Sequence, residues 1–428
     1  MINRLFLTSP ICRKTHRVTM RLCVGFTLAF PLTLLASSDS LMLTKVEVTP
    51  ALTAFSQQAL KEHPRVRAAE SEVIAAKARE RAASKAIYNP ELEAEYEDGD
   101  ALTRSIGISQ TIDLGGKRGA RQRVTSFETQ SAMESLNLVR QTVLAELLNA
   151  LGLYETSSEQ LRIAYERKTL VDRLRTLAKE RWQAGDLNQV EVDLANLAYA
   201  QAALQHSQAD GKRVTAEQAL VRIVGSNVPN RPVIPTSYAS VTIDKSAVDA
   251  ILTALPSVRI AQARIASAQA VVELRQRERR PDPTIGLYAG REGSADLLGV
   301  RFSIPLPVRN SFRAELDAAD ADLMTLDYFV TDEYRHLRAE LIAAERRYEI
   351  ARAAWDEWLQ IGAGSLESQT GLYERLWRAG ELNTIEYLVQ LQQTLDTRVA
   401  ASEQREALWE AWIALLTVSG QIDTWIGF

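Results

Sequence analysis

Cysteine is almost missing from this chain. Only Cys12 and Cys23 occur in 428 residues, and both precede residue 40. Without that leader the chain has no disulfide, no thiolate metal site and no cysteine nucleophile. Glycine (20) and proline (13) are sparse, which disfavours a fold of many short strands and leaves room for long helices. Histidine occurs four times without a cluster, so no histidine-rich metal centre is expected. Charge of one sign is lacking too: 50 Lys and Arg stand against 54 Asp and Glu, a formal net charge of −4. That balance excludes a strongly basic nucleic-acid binder, and no nucleic-acid partner is expected. Beyond the leader there is no apolar run of about 18 residues, the length a spanning helix needs.

The leader has its own pattern. Arg4, Arg13, Lys14, Arg17 and Arg21 are followed by an apolar run, Leu22 to Ala36, that ends in Ala36-Ser37-Ser38; no acid occurs before Asp39. A basic start, an apolar middle and small residues at the end make a secretory signal peptide, expected over 1–38. The leader carries five positive charges, so its removal takes the net charge from −4 to −9.

The remainder is an internal duplication. Trp182 to Asn188 (WQAGDLN) matches Trp377 to Asn383 (WRAGELN) at an offset of 195. Gly107 to Leu114 aligns with Gly299 to Leu306, and His63-Pro64 with Leu255-Pro256, both at an offset of 192. Asn89-Pro90 aligns with Asp282-Pro283. The expected organisation is a first repeat over 39–227, a Pro-rich linker over 228–250 and a second repeat over 251–428. Each repeat reads helix, two strands, very long helix, turn, helix. The three extra residues before Trp377 fall near Gly362-Ala363-Gly364, where an overwound irregularity is expected in the second long helix alone.

The strands alternate with a period of two. Leu92, Ala94 and Tyr96 interleave with Glu91, Glu93, Glu95 and Glu97; Ile106, Ile108 and Ile112 interleave with Ser105, Gly107, Ser109 and Thr111. Ile285, Leu287 and Ala289, then Leu298, Val300, Phe302 and Ile304, repeat the pattern opposite Arg301 and Ser303. Runs of about 9–11 residues suit a tilted strand crossing a bilayer, although alternation alone also fits a hairpin buried on one side. From Lys117 to Arg181 there is no proline, which predicts a helix of about 100 Å. Leu136, Val143, Ala150, Ser157, Ala164, Val171 and Ala178 form a seven-residue column, the mark of coiled-coil packing. The second long helix is expected over 311–376. Two shorter helices in each repeat, over 64–86 and 188–224, then 256–279 and 383–419, sum to about the same length and would run beside it.

These features resemble the TolC-like outer-membrane efflux family. The residues that carry the likeness are the duplicated halves, Asn89-Pro90, the strand-to-helix joint Ser109 to Arg118 (SQTIDLGGKR) and the two Trp-x-Ala-Gly-[Asp/Glu]-Leu-Asn turns. The joint and the Ala-Gly-Glu-Leu turn are most similar to the CzcC-like heavy-metal branch. The resemblance implies a homotrimer: a helical tunnel continued by a shared 12-stranded β-barrel to which each chain gives four strands, so a mainly α fold with a membrane β portion. It also implies contact with outer-membrane lipid, a periplasmic adaptor, an inner-membrane pump of the RND type and a periplasmic extension below a Gram-negative outer membrane. The implied function is an exit duct for substrates, heavy-metal cations among them. An exit duct for drugs or secreted proteins remains an alternative, as does a periplasmic coiled-coil scaffold.

Candidate residues follow. The turns carry Trp182, Gly185 and Leu187, and Trp377, Gly380 and Leu382; the family places them at the periplasmic tip where the adaptor docks. Glu191 and Glu386, six residues after the turn glycines, match pore-facing acids at the family's closed end, and a threefold assembly would crowd six carboxylates there. If the apolar strand faces meet lipid, Glu91, Glu93, Glu95, Glu97 and Arg301 line the lumen. Gly115 to Arg118 lacks the spacing of a phosphate loop, and His336 and Glu340 read as a surface polar pair. No nucleophile, base and orienter assemble by spacing, so no enzyme activity and no cofactor are expected.

Overall fold

The computed structural model describes residue 46, residues 48–225 and residues 231–428. The expected signal peptide and the first residues of the linker lie outside the described residues. Helices α1 (Pro50–Glu62) and α2 (Pro64–Ala83) lead into strands β1 (Glu91–Asp98) and β2 (Leu102–Thr111). Helix α3 (Lys117–Gln183) follows, 67 residues long, then α4 (Gln189–Val224). Helix α5 (Val248–Ala254), which begins within the expected linker, is followed by α6 (Pro256–Glu278), β3 (Thr284–Glu292), β4 (Ala295–Ser303) and α7 (Arg313–Glu357). The second repeat ends with α8 (Ala363–Arg378), α9 (Thr384–Val418) and α10 (Ile422–Ile426). No described helix is long and apolar enough to cross a membrane.

Local chemistry sets the boundaries. Pro64 and Pro256 begin α2 and α6, where a missing N–H costs nothing. The seven-residue column of α3 is the packed one: Val143, Ala150, Ser157, Ala164, Val171 and Ala178 are all buried. Alongside α3 lie α2 and α6 at the sheet end, and α4 and α9 at the far end; α7 packs on α6 and α9. The wall therefore runs α2-α3-α6-α7 near the sheet and α4-α3-α9-α7 away from it.

At mid-height the two repeats share one core. Leu144, Leu147, Leu148 and Leu151 of α3 meet Trp409, Trp412 and Leu416 of α9 and Tyr348 of α7. The linker is strapped over this core: the backbone N–H groups of Val241 and Ile243 donate to Glu349 (2.8 Å) and Glu345 (2.7 Å) of α7. Helices α1, α5 and α10, which the sequence did not announce, complete the collar.

The second long helix carries its irregularity where expected, but in the opposite sense. Trp358–Gly362 is a π-helical turn between α7 and α8. A π turn is wider than an α turn, so the helix widens here rather than overwinding. The ring of Trp358 lies against Gly362.

Gly152, the interior glycine of α3, touches the indole of Trp409, whose Nε1 donates to the carbonyl of Leu148 at 2.8 Å. A methyl at residue 152 falls inside the ring's van der Waals surface. Gly152→Ala is expected to destabilise the fold by about 1–3 kcal/mol through overpacking, despite alanine's better helix propensity. A rise in thermal midpoint would contradict this account.

Candidate functional site

Three places gather the candidate residues: the sheet, the strand-to-helix joint and the far turns.

The sheet has the order β1-β2-β3-β4, all antiparallel. Its register sorts the two faces. Rows Leu92-Ile108-Leu287-Val300 and Ala94-Ile106-Ala289-Leu298 lie on one face, with Ile285 and Phe302 one row nearer the helices. These apolar side chains are bare: Leu298 is 87% exposed, Val300 70% and Ile108 55%. At the hairpin end the same face turns polar, with Arg104 stacked over Tyr96 and Arg291 paired to Asp296 at 2.7 Å.

The opposite face carries Glu91, Glu93, Glu95 and Glu97 together with Ser105, Ser109, Tyr288 and Arg301. Arg301 on β4 pairs with Glu93 on β1 and approaches Glu95 at 3.9 Å. Three strand spacings separate β1 from β4, about 14 Å in a flat sheet, so contact between their side chains requires the polar face to be concave. Small residues make room. Gly107, Gly286, Gly290 and Gly299 lie on that face, and the Tyr288 ring covers Gly299. The Arg301 guanidinium sits 5.6 Å from the centre of that ring. Ser109 donates to Glu93 at 2.8 Å. Arg301 thus offsets part of the acidic field, whereas Glu91 and Glu97 have no ion pair among the described residues. Tyr288 and the glycine face escaped the sequence reading, although glycine alternating with apolar residues was a signal for it.

The joint explains its motif without any ligand. Asp113 accepts the backbone N–H groups of Lys117 and Arg118, both at 2.9 Å, and so caps α3. Burial alone would raise the Asp113 carboxyl; these backbone donors outweigh it and hold the carboxyl below its usual range. Gly116 takes a left-handed φ of 67°, and Arg277 of the other repeat donates to the carbonyls of Gly115 and Gly116 at 3.2 and 3.3 Å. Lys117 pairs with the buried Asp282 at 2.8 Å, and Tyr88 donates to the same carboxylate at 2.8 Å. One repeat's motif is therefore latched onto the other's Asp-Pro.

The far turns are near copies with one asymmetry. Gly185 (φ 86°) and Gly380 (φ 81°) end α3 and α8 in left-handed conformations. Asn188 and Asn383 then open α4 and α9 with full capping boxes. The backbone N–H groups of Glu191 and Glu386 donate to the Asn side chains (3.0 and 2.8 Å), and the Glu carboxylates accept the Asn backbone N–H groups (3.2 and 3.1 Å). Both candidate gate acids thus have a local role, which the Asn-x-x-Glu spacing could have disclosed. Trp377 is buried at 4% exposure, stacked on Tyr387 with centroids 5.2 Å apart, whereas Trp182 is 42% exposed. Arg181 lies 5.3 Å from the Trp377 ring centre and donates to the Arg378 carbonyl at 3.4 Å, tying the two turns together. Leu382 packs at the edge of this cluster; Leu187 is half-buried. His336 and Glu340 stand 3.8 Å apart on an exposed helix face, and no metal-holding group of three ligands occurs among the described residues.

Lys117→Met removes the cation from a carboxylate that stays buried. It is expected to cost about 3–5 kcal/mol, measurable as a lower midpoint in chemical denaturation. Asp282→Asn together with Lys117→Met is expected to recover part of that loss. If the single variant equals the wild type, the pair does not hold the joint.

Comparison with known proteins agrees with this geometry. A family model described as outer membrane efflux protein matches residues 55–226. The cobalt-zinc-cadmium resistance protein CzcC of Cupriavidus metallidurans is 25% identical over 351 residues, 79% of this chain and 79% of its own. The crystal structure of CusC, a transmembrane channel, superposes with a TM-score of 0.73 over 87% of this chain and 93% of that one, at 16% identity. The Campylobacter jejuni outer membrane channel CmeC gives a TM-score of 0.73 over 87% and 86%, at 14% identity. The family model and the superposed structures are those of outer-membrane proteins. Over residues 55–226 the chain thus resembles the outer membrane efflux proteins, and its fold is that of the superposed channels.

Proposed function

We propose that this protein is the exit duct of a tripartite efflux system and passes heavy-metal cations outward through the outer membrane. One observation carries the channel reading: a four-stranded sheet with a bare apolar face, a concave polar face and two unpaired edges, β1 and β4. Open edges are not tolerated in lipid. Single-chain barrels begin at about eight strands, so copies of this chain close one barrel, β4 of each pairing with β1 of the next. Three copies give twelve strands, the number implied by the family resemblance, with the concave faces turned to a common lumen. Glu91, Glu93, Glu95, Glu97 and Arg301 then line that lumen. The helical walls continue it as a tunnel whose far end holds Trp182, Gly185, Leu187, Trp377, Gly380 and Leu382. A periplasmic adaptor docks at this end and links the duct to an inner-membrane pump of the RND type.

The metal assignment rests on the likeness to CzcC and on charge. Acids outnumber Arg301 on the polar face, and Glu191 with Glu386 place further carboxylates near the far turns. A narrow passage lined by one sign of charge concentrates counter-ions. Deleting the gene is expected to sensitise its host to cobalt, zinc or cadmium and to leave drug tolerance and protein secretion unchanged. Sensitivity to drugs alone would reassign the cargo.

The lipid-facing assignment is tested by arginine insertion. Ile108→Arg is expected to cost roughly 2–4 kcal/mol near the bilayer midplane and to lower membrane assembly. Ser105→Arg, on the acidic face, is expected to insert normally. Equal assembly of the two variants would reverse the facing.

Gate function has its own measurement. Glu191→Gln with Glu386→Gln keeps the capping geometry, since glutamine also serves at that position, while removing the charge. Planar-bilayer recordings are expected to show weaker block by a trivalent cation added at the tunnel end, with assembly intact. Unchanged block would move the acidic constriction to the strand acids.

A further inference from the structure

The wall has two unpartnered faces, and they carry opposite charge. Near the sheet the helices run in the order α2-α3-α6-α7, so α2 and α7 are the outer members. Helix α2 leads into the open strand β1, and the open strand β4 leads into α7. Any closure that pairs β4 with the β1 of another copy therefore brings α7 against that copy's α2.

On α2 lie Ile74, Lys77 and Arg81 at helical spacing, and Lys85 follows just past the helix end before the chain enters the sheet. All are exposed, and the three cations have no ion pair among the described residues. Arg79 beside them is already engaged with Glu72 at 2.8 Å, and Glu80 is the one acid within the stripe's span. On α7, Asp317, Asp320, Met324, Asp327 and Tyr328 form the corresponding stripe in the first turns after the sheet. These residues are exposed, and none of the three aspartates has an ion pair among the described residues. Arg313 at the helix start is the one cation of this stretch, and Glu315 accepts from Asn310 at 3.2 Å. Met324 and Tyr328 are 59% and 70% exposed, as apolar side chains awaiting cover are.

We infer that the basic stripe of α2 and the acidic stripe of α7 form an interchain electrostatic latch between neighbouring copies just below the barrel, with Ile74, Met324 and Tyr328 as its apolar centre. The inference rests on the shared-barrel reading and adds to it the contact that selects partner and register. The two stripes differ in sign, so the contact is head-to-tail: like stripes repel, and each copy uses one stripe for each neighbour. Such a heterologous interface closes into a ring when its rotation allows. Complementary charge also speeds correct encounter and disfavours a mispaired dimer.

Charge reversal tests the latch in the full-length protein extracted in detergent, with the trimer fraction read by native mass measurement. Lys77→Asp with Arg81→Asp is expected to reduce that fraction at least fivefold. Asp317→Lys with Asp320→Lys is expected to do the same. The fourfold variant, in which both stripes are reversed, is expected to return to near the wild-type level, which a merely damaged fold would not do. Zero-length carbodiimide coupling of the wild type gives a second reading: interchain peptides joining Lys77 or Lys85 to Asp317, Asp320 or Asp327. A wild-type trimer unaffected by either reversal, or not restored by their combination, overturns the latch and leaves the shared barrel standing. A wild type that is monomeric in detergent overturns the shared barrel itself.

Discussion

The unpaired backbone edges of β1 and β4 govern this molecule. A strand edge displays a row of N–H and C=O groups that hydrocarbon cannot satisfy. The described residues hold four strands, too few to close. The same two ends of the chain's order, β1 with α2 and β4 with α7, are open in the wall below. Sheet and wall thus pose one problem, and the proposed ring of copies answers it at both levels. The bare apolar face and the concave polar face acquire sense only inside that ring.

Holding the sheet over the wall is a task for side chains at the joint. The chain passes between sheet and helix several times within a short height, and each entry into a helix leaves terminal N–H groups without intrahelical partners. Asp113 takes two of them. Lys117, Tyr88 and Asp282 then clamp the two repeats to each other, with the buried carboxylate shared between a cation and a phenol. A motif that superficially resembled a phosphate cradle is a hinge pin instead, because its helix N-terminus is already occupied by the protein's own carboxylate.

Duplication brings symmetry, and the far turns show where it stops. Both end on left-handed glycines and restart on Asn-x-x-Glu capping boxes. Yet Trp377 is stacked and buried while Trp182 faces outward. Tyr387 supplies the stacking surface in the second repeat, and Val192, at the equivalent position, cannot. The repeats also part at the π turn of the second long helix, where Trp358 folds against Gly362. Each departure lies where one repeat meets surroundings that the other does not share.

Local period and local chemistry are legible in the residues alone. Strand faces are a matter of parity, so Leu92, Ile108 and Val300 were separable from Glu93 and Arg301 before any register was known. Long helices are a matter of absent breakers, and the column from Val143 to Ala178 named its own buried face. The breaks at Gly185 and Gly380 were legible because only glycine adopts their backbone conformation cheaply. Contacts between residues distant in sequence emerge only from the fold. The Arg301–Glu93 contact spans 208 positions and exists because the sheet curls. Asp282 became the anchor of the joint because another repeat's lysine and tyrosine reach it. The irregularity before Trp377 was visible as three extra residues, but whether a helix tightens or widens there is settled by the side chains packed around it. Periodicity specifies which face is buried; only packing specifies against what, and that second fact separates Trp377 from Trp182.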